Sequence, residues 1–398
     1  VTRATAPRRL ADHYRRLGNA FLFVVTESQM KIIHVVRQYW PSRGGLEEFV
    51  ERLVLEQKAC GADVCVITLD ELFTNRGVKL PARETHNGVD IFRVPFCGST
   101  RYPLAPGVLS YLSDADLVHV HAVDFFFDFI ALTLGLSGRR VVATTHGGFF
   151  HTITHSMLKR IWFKTMTRVS SRLYGAMAAC SESDYRMFSS ISPSNLRLVE
   201  NGVDIDKFAD RASAEPTKTI VTIGRLSNNK RIDRVLDVMT ELVASDSEWR
   251  LHIVGTESDW SGEKLQREIS ARGLEPYVEV HLGPDNKGVA QVISQCSIFA
   301  SASEYEGFGI ALVEALSSGL LPVVNGNEAY LGFAAKHGGV RVVDYADPAR
   351  GAAAIRAAFA ELITSPRLRN EGIKIARRFT WSEVAQKYSA IYREVLGR

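Results

Sequence analysis

From Met30 onward the chain alternates short β-branched runs with amphipathic stretches, and the pattern occurs twice. KIIHVVR (31–37), DVCVITL (63–69), DIFRV (90–94), DLVHVH (116–121), RRVVATTH (139–146) and GAMAACS (175–181) read as strands, and GLEEFVERLVLEQKACG (45–61) as a helix. Strands this apolar, separated by helical patterns, need both faces covered, which predicts a parallel sheet between helix layers. The polar segment ADRASAEPTK (209–218) interrupts the pattern. It restarts with KTIVTIG (218–224), WRLHIVG (249–255), YVEVHLG (277–283), CSIFAS (296–301), LLPVV (320–324) and GVRVVD (339–344). The expectation is an α/β protein of two Rossmann-like, doubly wound domains, residues 30–208 and 218–379. A linker at 209–217 joins them, and they face each other across a cleft suited to a ligand. The tail TWSEVAQKYSAIYREVLG (380–397) has the spacing of an amphipathic helix opened by a Thr/Ser cap. Within 380–398 it is expected to pack back toward the first domain.

A length of 398 residues is too great for one ordinary core, and 46% apolar with 23% charged residues excludes disorder as the default. The net charge of +4 lies wholly in the first part: residues 1–217 hold 26 Lys+Arg against 22 Asp+Glu, and the remainder balances at 22 each. That asymmetry suits an anionic partner on the first half, such as a membrane surface or lipid phosphate. No dense basic run or recognition motif points to nucleic acid. Cys60, Cys65, Cys97, Cys180 and Cys296 are odd in number and include no CxxC, which fits a reducing cytosol better than a disulfide frame or zinc site. Arg3, Arg8, Arg9, Arg15 and Arg16 precede the short apolar run FLFVV (21–25), but no small-residue cleavage site follows. Residues 1–29 read as a basic extension outside the fold.

Three stretches carry chemistry. SRGGLEEF (42–49) puts Gly44 and Gly45 between the first strand and first helix, where backbone N–H groups and the helix dipole can meet a phosphate; a tight βα turn is the plain alternative. GRLSNNKRID (224–233) places Arg225 and Lys230 around a polar loop at a strand's carboxyl end. Two cations there can neutralise a diphosphate, or simply form a solvated loop in which Lys230 or Arg231 pairs with Asp233. EYEGFGIALVEAL (304–316) puts Glu306 in a loop, then Gly307-Phe308-Gly309, then Glu314 within the first two turns of a helix. A helix carboxylate can accept both hydroxyls of a ribose, while the loop carboxylate and exposed amides hold sugar hydroxyls and phosphate oxygens. Glycine is expected there because a Cβ would block close approach. The alternative, acidic capping of a helix start, leaves the glycines unexplained. No metal site emerges: SDAD (113–116) reads as turn chemistry.

E-G-F-G-x4-E, preceded by GRLSNNK and by the Gly-Gly loop after strand one, resembles the GT-B retaining glycosyltransferases of family 4. The likeness covers nearly the whole chain from Met30, and DLVHVH, THGG (145–148), ACSES (179–183) and ENGVD (200–204) also look like family segments. It implies that Arg225 and Lys230 grip the donor diphosphate, Glu306 the donor sugar and Glu314 the ribose. It puts His146 and Ser181 at strand ends facing the donor, with His146 orienting the sugar; His119 and His121 are expected to be hydrogen-bonded core histidines. Arg231 stands where many relatives have glycine. GT-B relatives use cations and helix dipoles in place of a metal, so no cofactor beyond the nucleotide sugar is implied. The departing diphosphate is thought able to take the acceptor's proton, so Glu306 need not be a nucleophile. Base recognition is expected near Gly283-Pro284-Asp285.

Within the family the chain is most similar to bacterial exopolysaccharide α-mannosyltransferases of the acetan and xanthan type. These move mannose from GDP-mannose to cellobiose linked through diphosphate to a polyprenol, in an α-1,3 bond. HSMLKRIWFKTMTRVSSRLYG (155–175) combines Lys159, Arg160, Lys164, Arg168 and Arg172 with Trp162 and Phe163. Such a helix can lie in a membrane interface, giving a cytoplasmic protein held peripherally at the inner face of the membrane, or can pack one face on its own domain. FFFDF (125–129) reads as buried helix packing, with an acceptor platform as the alternative. Competing readings are transfer from another nucleotide sugar such as UDP-glucose, a non-catalytic nucleotide-sugar sensor, and a two-carboxylate glycoside hydrolase that would leave the cations unexplained.

Overall fold

The computed structural model describes residues 30–100, 102–138, 140–147 and 160–397. The expectations for 1–29, Gly148 and 155–159 lie outside the described residues.

The first sheet has eight strands: β1 Lys31–Val35, β2 Asp63–Leu69, β3 Arg83–His86, β4 Val89–Val94, β5 Leu117–His121, β6 Val141–Thr144, β7 Ala176–Ala179 and β8 Leu196–Leu198. Their order is β8-β7-β6-β5-β1-β2-β4-β3. All neighbours run parallel except β3, which pairs antiparallel with β4 at the edge. The parallel expectation therefore fails at that edge: Arg83–His86 is polar and half exposed, and a two-residue turn at Asn87-Gly88 folds it back as a hairpin. The second sheet has six parallel strands: β9 Thr219–Ile223, β10 Arg250–Gly255, β11 Val278–Leu282, β12 Ile298–Ser301, β13 Leu321–Asn325 and β14 Arg341–Val343. Their order is β11-β10-β9-β12-β13-β14.

Each sheet is buried on both faces, which is why its central strands read as unbroken apolar runs. Ile33, Val35, Val118 and Val120 pack on one side of the first sheet, and Ile32, Val66, Leu117 and Val142 on the other. Ile220, Ile253 and Val323 against Val221, Val254 and Val324 do the same in the second. The helices that position the site are α1 Gly45–Ala59, α2 Glu182–Ser189, α3 Ile232–Ser245, α4 Ile310–Ser318, α5 Glu328–His337 and α6 Trp381–Leu396.

Helix α6 begins at Thr380, whose side chain accepts from the Glu383 N–H at 3.2 Å, and ends at Gly397, φ 68°. Its buried Val384, Ala385, Tyr388, Ile391, Tyr392 and Leu396 fall on one helical stripe. That stripe joins Phe49, Leu53 and Val142 in the core of the first domain, so the last helix of the chain belongs to the domain built first. Fully burying a residue such as Ile391 contributes about 1.5–3 kcal/mol.

Candidate active site

The second sheet reverses its winding between β9 and β12, which are direct neighbours. Loops leaving the carboxyl ends of two such strands diverge to opposite faces and leave a crevice. From β9 the chain passes Gly224 and a short turn at Asn228–Lys230 into α3. A Cβ on Gly255 would lie 1.9 Å from the Gly224 carbonyl oxygen, so this loop seats only because β10 ends in glycine. The sequence reading did not single out Gly255.

Lys230 and Glu306 meet in the crevice. The ammonium is 2.6 Å from Glu306 Oε1, and the Tyr330 hydroxyl donates to the same oxygen at 3.1 Å. The two charged side chains are only 19% and 14% exposed. Burial, then the Glu306 charge, pushes the Tyr330 phenol well above its ordinary range, so it acts as a donor and not as an anion. Arg225 lines the same recess as Lys230, with Ser301 and Ser303, and its side chain makes no ion pair or hydrogen bond among the described residues. One cation is thus held ready by a carboxylate, and another is exposed to solvent beside it.

Arg231 takes the left-handed conformation, φ 49° and ψ 51°, that glycine favours. Here Arg231 makes ion pairs with Asp233 (2.7 Å) and Glu304 (2.5 Å). The Asp233 partner foreseen for either cation therefore belongs to Arg231, and Lys230 is committed to the crevice.

Glu314 lies in the second turn of α4. Burial pushes its carboxyl above the ordinary range, countered by the Lys207 ammonium at 3.1 Å. The charges of Asp204 and Glu48 push it in the same direction as burial. Lys207 carried no sequence signal, because its partner lies 107 positions away. Gly309 caps α4 at φ 94°, and a Cβ there would stand 2.8 Å from the Tyr330 ring. Backbone conformation and the Tyr330 ring each require this glycine. At Gly307 the space is open. The Phe308 ring packs against Phe379, 5.6 Å between centroids, and the residue lines a recess with Glu306 and Gly307.

On the facing domain Ser181 caps α2, accepting from the Asp184 N–H at 3.2 Å, and lines one recess with Glu306, Gly307 and Phe308. Gly44 and Gly45 open onto a separate cavity of about 730 Å³, with Trp40, Glu47, Glu48, Glu51, Arg52 and Asn87. Glu47, Glu48 and Glu51 stand there with Arg43 and Arg52, so the lining presents both carboxylates and cations beside the Gly-Gly loop. His146 follows β6 at φ 55°, with Nε2 2.9 Å from His121 Nδ1 and its ring 4.5 Å from Phe49. Burial pushes its imidazole down to about 3, so it is neutral. His119 and His121 are buried and hydrogen-bonded. Asp285 caps the helix Asn286–Ile293 from the loop after β11. Among the described residues, two groups have a spacing that could hold a metal ion, His34/His119/His121 and His252/Glu279/His281; neither contains a residue of this crevice.

Two family models cover the chain, one described as Glycosyltransferase Family 4 over residues 43–207 and one as Glycosyl transferases group 1 over 204–379. A GDP-mannose:cellobiosyl-diphosphopolyprenol alpha-mannosyltransferase of Xanthomonas oryzae is 39% identical over 92% of this chain and 98% of its own. The chain belongs to glycosyltransferase family 4. A relative of the same description from Komagataeibacter xylinus is 37% identical over 94% of this chain and 95% of its own. The fold is that of a Rickettsia africae glycosyltransferase, with TM-score 0.70 and 16% identity over 92% of this chain and 99% of the other. It is equally that of Anabaena HepE solved with UDP, with TM-score 0.69 and 16% identity over 91% and 99%. The family 4 fold is GT-B, two Rossmann-like domains with the crevice between them.

The crevice of this family 4 chain thus gathers Lys230, Arg225, Glu306, Gly307 and Ser181, with Glu314 on the adjoining helix and His146 on the opposite domain. Tyr330 and Lys207, each bonded to one of the two glutamates, were not visible in the motif. Asp184 was missed as well: it accepts from the Gly147 N–H at 2.7 Å and from the Thr145 hydroxyl at 2.5 Å, and so fixes the loop that carries His146.

Proposed function

We propose that this family 4 enzyme transfers a mannosyl residue from GDP-mannose to cellobiose linked through diphosphate to a polyprenol. The bond formed is α-1,3 with retention, no metal is used, and the product serves exopolysaccharide assembly. The observation that carries the reading is 37–39% identity, over at least 92% of this chain, to three mannosyltransferases of that description.

The crevice supplies what such a transfer needs. Arg225 and Lys230 hold the diphosphate, and the N–H groups at the start of α4 add their dipole. Donor binding exchanges the Lys230–Glu306 pair for two new ones, phosphate oxygen on Lys230 and sugar hydroxyl on Glu306. Glu314 accepts from the ribose hydroxyls, exchanging them for Lys207. The bond from C1 to the phosphate oxygen breaks with its electron pair leaving on the diphosphate. The acceptor hydroxyl bonds C1 from the same face and passes its proton to the departing phosphate oxygen. Neutral His146 does not repel the positive charge that develops at C1. The cavity at Gly44-Gly45, with its carboxylates and arginines, receives the acceptor's glucose hydroxyls.

The acceptor's lipid places the enzyme at the inner face of the cytoplasmic membrane. No described helix is long and apolar enough to cross a bilayer. In the described part of the basic helix, Ile161, Trp162 and Val169 are 55%, 40% and 52% exposed, and Arg160, Lys164, Arg168 and Arg172 are exposed beside them. Apolar bulk amid cations is the pattern of interfacial adsorption.

The test is an assay of GDP-mannose and UDP-glucose against cellobiosyl-diphosphopolyprenol, with and without EDTA, followed by linkage analysis. An α-1,3-mannosyl product that forms equally with EDTA is expected. Transfer from UDP-glucose instead, or release of free mannose without acceptor, overturns the reading.

A further inference from the structure

A continuous file of hydrogen-bonded side chains crosses the interior of the first domain and ends at His146. His146 Nε2 lies 2.9 Å from His121 Nδ1, and His121 Nε2 lies 2.9 Å from His34 Nδ1. His34 Nε2 lies 2.7 Å from Gln57 Oε1. Gln57 Nε2 donates to the Tyr392 hydroxyl at 3.0 Å, and that hydroxyl lies 2.7 Å from His119 Nδ1. His34, His119 and His121 are fully buried and Gln57 is 2% exposed. The file draws on β1, α1, β5, the loop after β6 and the C-terminal helix α6.

The amide of Gln57 gives this file a direction. Its oxygen can only accept, so His34 must carry its proton on Nε2. Burial pushes the His34 imidazole down to about 4 and that of His121 well below its ordinary range, so each ring has a single proton. His34 Nδ1 is then bare and accepts from His121 Nε2–H; His121 Nδ1 is bare and accepts from His146 Nε2–H. The amide nitrogen fixes the opposite branch: Tyr392 accepts from Gln57 and donates to His119 Nδ1, and His119 Nε2–H donates to Thr144 Oγ1 at 2.8 Å. Every ring has one partner for its proton and one for its lone pair, except His146. Its Nδ1 has no hydrogen-bond partner among the described residues.

We propose that Gln57, His34 and His121 are positioning residues that fix the proton of His146 on Nε2 and so present Nδ1 as an acceptor for a hydroxyl of the bound sugar. The proposal rests on the reading of the crevice as a sugar-transfer site. A turned Gln57 amide would reverse each bond in the file and convert Nδ1 into a donor, so a residue on α1 decides what His146 offers to its ligand. Tyr392 holds that amide in place from the last helix.

The experiment labels the full-length protein with ¹⁵N-histidine and reads each ring's tautomer from two-bond ¹H–¹⁵N correlations, assigning His146 by its loss in His146→Gln. Wild type is expected to show His146 with a proton on Nε2 and a bare Nδ1. His34→Phe keeps a ring but removes both nitrogens; it should give His146 a mixed tautomer and lower kcat about tenfold, with donor Kd unchanged within about twofold. Tyr392→Phe, a single-oxygen deletion at the far end, should shift the His146 signal in the same direction and keeps the test available if His34→Phe does not fold. Wild-type His146 protonated on Nδ1, or a His146 tautomer untouched in the folded variants, overturns the proposal. Failure of the sugar-transfer reading would show instead as absent turnover in wild type, which the tautomer spectrum does not depend on.

Discussion

Glu306 has two partners in the crevice, Lys230 and Tyr330. Glu306→Gln keeps the size and one acceptor but removes the charge that the sugar hydroxyl and Lys230 use. It is expected to lower kcat/KM by about a hundredfold, with the fold intact by circular dichroism; normal turnover would remove Glu306 from the site. Acid sensitivity follows from the histidine file. The folded chain refuses protons that the unfolded chain takes up below its ordinary value of 6.5, and His34 holds out until about 4. Stability from these rings is therefore complete above about pH 6.5 and falls as pH drops toward 4, by about 1.4 kcal/mol per pH unit for each excluded proton. Asp124, pushed up to about 6 by burial, opposes part of that loss, because it binds a proton in the folded state first. The urea midpoint is expected to be lower at pH 5 than at pH 7.5; an unchanged midpoint would show that the rings titrate freely. Glu306, Glu314 and Lys230 were legible because motif spacing places them at strand and helix ends. Tyr330 and Lys207 were not, since a contact made across 24 or 107 positions leaves no local pattern.

Most strands can be read from the chain to within two residues, because a central strand of a doubly covered sheet must be apolar throughout. DVCVITL matches β2 residue for residue. Arg83–His86 escaped because an edge strand with polar faces carries no such mark. Helix α6 offers an element-level test: Tyr388 is fully buried and hydrogen-bonded to Thr144 at 2.9 Å. Tyr388→Ala is expected to cost about 3–5 kcal/mol of stability, by analogy with other buried aromatics, read by chemical denaturation. A loss near zero would mean that α6 does not support the first domain. The basic helix is tested by Lys164→Glu with Arg168→Glu. At about 1 kcal/mol for each cation near an anionic surface, sedimentation with phosphatidylglycerol vesicles should weaken at least tenfold, while transfer to a short-chain soluble acceptor is retained. Equal vesicle binding would give this face another role.

The two domains touch through charged side chains as well as through the chain itself. Arg186 on α2 pairs with Glu328 on α5 at 2.8 Å, and Lys336 with Glu200 at 2.9 Å. Arg186 and Glu328 are more than half exposed, so their pair is worth at most about 1 kcal/mol. Arg186→Glu is expected to raise KM for the acceptor by up to about fivefold and leave donor Kd alone, and adding Glu328→Arg should restore it; no recovery would mean the pair does not bridge a working state. The attachment of α6 to the first domain has a further outcome, in the order of events during synthesis. The groove that receives Tyr388 and Tyr392 is complete in every other respect about 180 residues before its filling is made, and the second domain is threaded out in between. Until residues 381–396 leave the ribosome, the first domain carries an open apolar trough, and a nascent chain halted after the second sheet would present that trough to chaperones.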